Sequence, residues 1–211
     1  MSPAPLVLPR VLVVADVDAA GGEEEWLRVL RGLGQLPPGL PVAVQVRAKG
    51  RPPEELGRLA RLAQAALASR VPVVLNGPAE VARALELAGV HWPESGIPQR
   101  VPETARALVR SASVHSPQAA QRVQSLVHYL VFGPVFPPGS KAAPAVGLGV
   151  LRQVCAAVCR PVLAIGGVTP ERVADCLACG ATGVAVVSAV MRAPDPATAT
   201  VRLVEAVQAR P

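Results

Sequence analysis

Lysine and asparagine are rare in this chain, and their few positions are informative. Nineteen of the 21 basic residues are arginine; Lys49 and Lys141 are the only lysines, and Asn76 is the only asparagine. A compact ammonium kept at two places in an arginine-rich chain suits a local anion. Polar side chains also recur at two-residue spacing inside apolar runs. In Val42-Ala43-Val44-Gln45-Val46-Arg47, Gln45 and Arg47 fall on the face opposite the valines, and Lys49 continues that side. Ser111, Ser113 and His115 form a second such line. A strand places residues i, i+2 and i+4 on one face. Gln45 and Ser111 suit a hydrogen-bonded interior layer, whereas Arg47, Ser113 and His115 suit a site. Two further stretches, Gly166-Gly167 and Ser188-Ala189, suit phosphate held on backbone N–H groups.

The elements that must carry these residues alternate. Strands are expected at Val11–Ala15, Val42–Arg47, Val71–Asn76, Gly89–Trp92, Leu108–His115, Tyr129–Pro134, Pro161–Gly166 and Val184–Ala189. Helices are expected at Glu23–Leu33, Pro53–Ser69, Ala79–Ala88, Pro117–Leu126, Gly147–Val158, Pro170–Ala178 and Pro196–Ala209, with a weak helical segment at Val101–Ala107. Eight strand–helix units in 211 residues predict one α/β domain over residues 1–211, a closed (β/α)8 TIM barrel. The alternative is an open doubly wound sheet. The first loop, Asp16 to Gly22, lacks the G-x-G-x-x-G pattern that a dinucleotide-binding version of that fold carries.

In a barrel, active sites form at the C-terminal ends of the strands. Arg47, Lys49, Asn76, Ser113 and His115 all fall there, as does Lys141 in the loop after strand six. Gly166-Gly167 follows strand seven and Ser188-Ala189 ends strand eight, where barrels often hold phosphate. His91 reads as an interior group and His128 as a residue of the barrel bottom. Trp92 suits either a pocket wall or plain packing.

Composition excludes several classes. Apolar residues are 51% and charged residues 17%, which rules out a disordered chain. No apolar run approaches the ~20 residues of a membrane span. The first ten residues lack the charged start and cleavage site of a signal peptide, so a soluble cytoplasmic protein is expected. The net charge of +6 and pI near 9.9 are spread along the chain, with one Tyr, two Phe and two Trp to stack on bases. A small anionic ligand fits better than nucleic acid. Cys155, Cys159, Cys176 and Cys179 have zinc-like spacings, but both pairs fall in helical, Ala-rich segments and read as packing.

These residues resemble the family of thiamine phosphate synthase and the TenI-type thiazole tautomerases. The resemblance covers nearly the whole chain. It is carried by Gln45-Val46-Arg47-Ala48-Lys49, Ser113-Val114-His115-Ser116, Tyr129–Lys141, Ile165-Gly166-Gly167-Val168 and Gly183–Ala189. Synthases of this family hold magnesium on an Asp after strand three and another after strand four. Here those regions read Asn76-Gly77-Pro78 and Trp92-Pro93-Glu94-Ser95-Gly96. The expected Asp residues are absent, and Ala48 stands where relatives often carry Glu. Both regions resemble the TenI-type branch instead.

The resemblance implies an isomerase of thiamine biosynthesis that aromatises a carboxythiazole phosphate without metal or other cofactor. His115 would be the catalytic acid and base, since an imidazole titrates near cellular pH. Gly166, Gly167, Ser188 and Ala189 would hold the phosphate. Arg47, Lys49, Asn76, Ser113 and Lys141 would bind the rest of the substrate. The alternatives are a divergent synthase that uses Mg2+, with Glu94 and Asp16 as stand-in ligands, or a barrel that binds thiazole phosphate without turnover. The resemblance also implies self-association.

Overall fold

In the computed structural model, residues 8–137 and 145–209 are described. Eight parallel strands pair in sequence order and close, β1 with β8, into a barrel. They are β1 Val11–Asp16, β2 Val42–Arg47, β3 Val73–Asn76, β4 Gly89–Trp92, β5 Val109–Val114, β6 Tyr129–Phe132, β7 Val162–Ile165 and β8 Gly183–Val186. This is the (β/α)8 barrel expected.

The helices are α1 Val17–Ala20, α2 Glu23–Leu33, α3 Pro53–Ala66, α4 Ala79–Ala84, α5 Pro117–Val123, α6 Gly147–Ala157, α7 Val173–Ala178, α8 Ser188–Met191 and α9 Pro196–Gln208. Short 3-10 turns cover Glu94–Gly96, Glu103–Ala105, Gln124–Leu126 and Pro170–Arg172.

Period-two patterning splits the strands between two cores. Val11, Val13 and Ala15 of β1, and Val42, Val44 and Val46 of β2, face outward and pack with Trp26, Leu30 and Leu59 of the helical layer. Leu12, Ala43, Tyr129, Val131, Leu163 and Ala185 fill the barrel interior. Trp26 is fully buried, and its indole N–H donates to the Ala15 carbonyl at 3.0 Å. That bond satisfies the one polar atom the burial would otherwise strand.

Several boundaries differ from expectation. α3 stops at Ala66 because Ala68 and Ser69 take positive φ values of 50° and 57°. Arg110, not a helix, braces the β4–β5 connection. Its guanidinium donates to the carbonyls of Ala105, Arg106, Leu108 and Leu126, and only a 3-10 turn forms over 103–105. β8 ends at Val186, so Ser188 and Ala189 open helix α8 rather than end a strand. The first loop contains α1, capped when Asp16 Oδ1 accepts from the Ala19 N–H at 2.9 Å. Among the cysteines, Cys176 and Cys179 are buried as packing requires. Cys159, however, lies beyond the end of α6 and is exposed.

Candidate active site

At the C-terminal rim of the barrel, β1 and β2 end side by side, with Asp16 the register partner of Arg47. The Arg47 guanidinium donates from Nη1 to Asp16 Oδ2. Asp16 is 4% exposed, so the pair is planted in the rim, and burial lowers the guanidinium's pKa from its ordinary range. Arg47 thus reaches the mouth on a fixed tether, with its other N–H groups available.

Arg47, Lys49 and Asn76 line one cleft of about 580 Å³, together with Trp92, Pro93 and Ser95. Of the three rare residues, Lys49 and Asn76 therefore share a site, with Arg47 beside them. Trp92 serves both readings: it is buried and it walls this cleft. Ala48 is buried yet also lines this cleft, so the position where relatives often carry Glu presents only a methyl group here. Lys141 lies outside the described residues. A second concavity of about 1030 Å³ runs along residues 98–106 on the β4–β5 connection and meets the cleft at Pro98 and Pro102, and none of the expected site residues that are described lines it.

His115 follows β5 directly. Its Nδ1 lies 2.5 Å from the Gly133 carbonyl oxygen. A carbonyl only accepts, so Nδ1 carries the proton and donates. The neutral ring then keeps its lone pair on Nε2, which lies 3.8 Å from Glu94 Oε2. The His115 side chain is 58% exposed, open to a ligand. The arrangement has the parts of a general base: a fixed tautomer, a free nitrogen, and a carboxylate placed to face the cation that forms.

Ser113, one strand step below His115, is half-buried and bonds inward to His91 Nε2 at 2.8 Å. His91 Nδ1 bonds Ser111 Oγ at 2.9 Å. His91 is 2% exposed, and burial, with the Arg47 charge as a lesser cause, pushes it down to about 3. It is the interior group expected. His128 also sits as expected, at the barrel bottom, accepting from the Arg110 N–H at 2.9 Å.

Gly166 and Gly167 have φ values of 97° and 60°. A Cβ on Gly166 would lie 2.5 Å from Pro134, and one on Gly167 would lie 2.6 Å from the Pro137 carbonyl. These glycines are needed first to seat the loop after β6. The Phe136 N–H donates to the Gly166 carbonyl at 3.0 Å, and Arg172 donates to the Gly167 carbonyl at 2.7 Å while stacking 4.8 Å over the Phe136 ring. Ser188 and Ala189 contribute first-turn amides of α8, which have no acceptor within the helix.

The donor set does not suit the magnesium that a synthase needs. Mg2+ takes oxygen ligands, mainly carboxylates. Asn76-Gly77-Pro78 offers none, Asp16 is engaged by Arg47, and Glu94 faces His115. Among the described residues, no three His, Cys, Asp or Glu side chains cluster as a metal site. Also among them, no helix is long and apolar enough to cross a membrane.

Sequence reasoning passed over two relationships. Asp16 was visible as the polar end of an apolar strand, but only as a stand-in metal ligand. The approach of Glu94 to His115 spans 21 positions and left no signal in spacing.

Residues 13–190 match the family described as Thiamine monophosphate synthase. The chain is 36% identical over 208 residues to the thiamine-phosphate synthase of Roseiflexus castenholzii, covering 94% of this chain and 89% of that one. It is 33% identical to that of Moorella thermoacetica, covering 93% and 95%. Among solved structures, thiamine phosphate pyrophosphorylase from Pyrococcus furiosus superposes with a TM-score of 0.79 at 28% identity, over 94% of this chain and 95% of that one. These names are those of the synthase, and nothing in them singles out the TenI-type branch.

Proposed function

Since the chain belongs to the thiamine monophosphate synthase family, an enzyme family of thiamine biosynthesis, we propose that it is the thiazole tautomerase variant of that barrel. The observation that carries this reading is His115, with Nδ1 committed to the Gly133 carbonyl and Nε2 free beside Glu94.

The reaction moves the exocyclic double bond of a carboxythiazole phosphate into the ring. Nε2 of His115 takes the proton from the saturated ring carbon. The electron pair of that C–H bond becomes a ring double bond, and the double bonds shift along the conjugated path. The exocyclic carbon then takes the proton back from the imidazolium. No atom is gained or lost. Glu94 favours the imidazolium between the two transfers. Arg47 and Lys49 face the substrate carboxylate, and Arg47 is held by Asp16 while it does so. Asn76 orients the ring, and Ser113 contacts the substrate beside His115. The phosphate lies on the amides of Gly166, Gly167, Ser188 and Ala189. Lys141 would bind an anionic group of the substrate. The enzyme works without a cofactor, in the cytoplasm, on a small molecule, and self-associates.

A second reading, the synthase, has the relatives' names in its favour. Arg47, Lys49 and Lys141 also suit a diphosphate. It requires magnesium on a donor set unlike the one the resemblance leads one to expect.

A paired assay separates the two. One arm supplies the unaromatised thiazole phosphate with a chelator and follows the ultraviolet change on aromatisation. The other supplies pyrimidine diphosphate, thiazole phosphate and magnesium and reads thiamine phosphate. Turnover in the first arm alone is expected. Thiamine phosphate in the second with none in the first would replace this reading by the synthase.

A further inference from the structure

We propose that His91 is a positioning residue that fixes the Ser113 hydroxyl so that its oxygen lone pairs, and not its proton, face the barrel mouth.

The protons along a short hydrogen-bonded chain can be counted. Ser111 is fully buried, and its Oγ donates to the Val90 carbonyl at 3.5 Å. Assigned to that carbonyl, the one proton of the hydroxyl leaves Ser111 to accept from His91. His91 Nδ1, 2.9 Å away, therefore carries a hydrogen. Burial keeps the ring uncharged, and the Arg47 cation acts in the same direction. A neutral ring with its hydrogen on Nδ1 has a lone pair on Nε2. Ser113 Oγ, 2.8 Å from Nε2, must then donate. Its proton is used inward, and its half-buried oxygen turns lone pairs outward.

The groups around His91 support a neutral ring. Asn76 is its register partner on β3 and Ser111 its partner on β5. Neither carries charge. Below them, Tyr129 is the register partner of Ser111, and burial pushes its hydroxyl up to about 12. The Tyr129 hydroxyl neighbours Ser111, and Gln45 Oε1 is buried with no hydrogen-bond partner among the described residues. The layer under the site is thus polar and uncharged. Among the described residues, no anion there stabilises a second proton on the buried imidazole.

The consequence is chemical. A ligand group that meets Ser113 must bring the hydrogen itself, as an N–H, an O–H or a bound water. A carboxylate or phosphate oxygen is refused there and directed to Arg47, Lys49 or the backbone amides. His91 in this way sorts the two ends of the mouth. The inference rests on the reading of this face as the substrate site and adds a polarity to it.

The chain has three histidines, so ring nitrogen spectra of the full-length protein are tractable, with each signal assigned by its loss in a single-histidine variant. The His91 ring is expected to stay neutral, with its hydrogen on Nδ1, down to about pH 4. A hydrogen on Nε2, or titration near an ordinary imidazole's ~6.5, would overturn the proposal. This arm needs no turnover, so absence of both reactions would sink the proposed function and leave this result standing.

A double-mutant cycle on whichever reaction the wild-type chain catalyses tests the positioning role. His91→Gln is expected to lower kcat/KM about tenfold in the wild-type background and less than twofold in Ser113→Ala. An equal loss in both backgrounds would mean that His91 only packs the core, and would also overturn the proposal. If His91→Gln fails to fold, the spectra of the wild-type chain still decide.

Discussion

Nδ1 of His115 lies 2.5 Å from the Gly133 carbonyl oxygen, which leaves Nε2 as the free nitrogen of the ring. The two residues come from consecutive units, one just after β5 and the other just after β6, whose last residues Val114 and Phe132 are register partners. The pairing of β5 with β6 therefore fixes the tautomer of the proposed catalytic base. The same carbonyl sits where no side chain fits, since a Cβ on Gly133 would lie 2.1 Å from the Ile165 carbonyl oxygen.

Asp16 serves both as the cap of α1 and as the tether of Arg47. Asn caps a helix about as well as Asp. Asp16→Asn therefore isolates the tether. Its melting temperature should fall by several degrees, in line with ~1.5–3 kcal/mol for a hydrogen bond to a charged group, while KM rises roughly tenfold. Steady-state kinetics beside thermal melts check this, and an unchanged KM would remove Arg47 from substrate binding.

Glu94 stands 3.8 Å from His115 Nε2, on a side chain one-third exposed. Its help to the imidazolium is worth about one to a few kcal/mol between surface and part-buried conditions. Glu94→Gln should lower kcat several-fold with KM little changed. The penalty should shrink as salt is raised, because screening already weakens the pair in the wild type. A kcat ratio independent of salt would assign Glu94 a purely structural place.

Much of this was legible in the sequence, for physical reasons. The alternation of Val42–Arg47 and Ser111–His115 has meaning because both faces of a barrel strand are normally apolar. Polar residues there must belong to an interior layer or to the mouth, and Gln45 and Arg47 turned out to be one of each. The role of Gly166 and Gly167 was less visible. Their free backbone suggested room for phosphate, whereas the close approach in the fold is by Pro134, Phe136 and Pro137. The end of β8 was also misplaced, because Val184–Ala189 is apolar almost throughout and hydrophobicity alone cannot mark where a strand turns into a helix.

Two glycines separate backbone strain from close packing. Gly21 has a φ of 93° with open space at the Cβ position, whereas Gly166 has both a φ of 97° and Pro134 at 2.5 Å. Gly21→Ala should cost about 1 kcal/mol, the strain alone. Gly166→Ala should cost roughly 2–4 kcal/mol, strain plus overpacking, and weaken phosphate-ligand binding. Urea unfolding of the two variants gives the comparison, and equal losses would mean that the β6 loop yields freely.

The pH dependence of stability has a definite sign. His91 is held at about 3 in the fold by burial first and the Arg47 charge second, against about 6.5 for a free imidazole. As pH falls through that window, the unfolded chain takes up the proton and the native chain does not. Stability is thus full above about pH 6.5 and declines toward pH 3. His128, lowered by burial and then by Arg110 and Arg160, adds a slope of the same sign. Each pH unit inside the window is worth ~1.4 kcal/mol, so His91 alone accounts for several kcal/mol. Urea unfolding from pH 7 to pH 4 should show the decline, and His91→Asn should flatten it. A slope unchanged in that variant would mean that His91 is protonated in the fold.

The most direct test of His115 as acid and base is His115→Ala in the metal-free aromatisation assay, read beside equilibrium binding of thiazole phosphate. The kcat should fall by roughly 10²–10⁴-fold, the usual worth of general acid–base catalysis, with binding and melting temperature retained. Turnover at the wild-type rate would contradict the assignment, and would place the acid and base on some other side chain of the mouth.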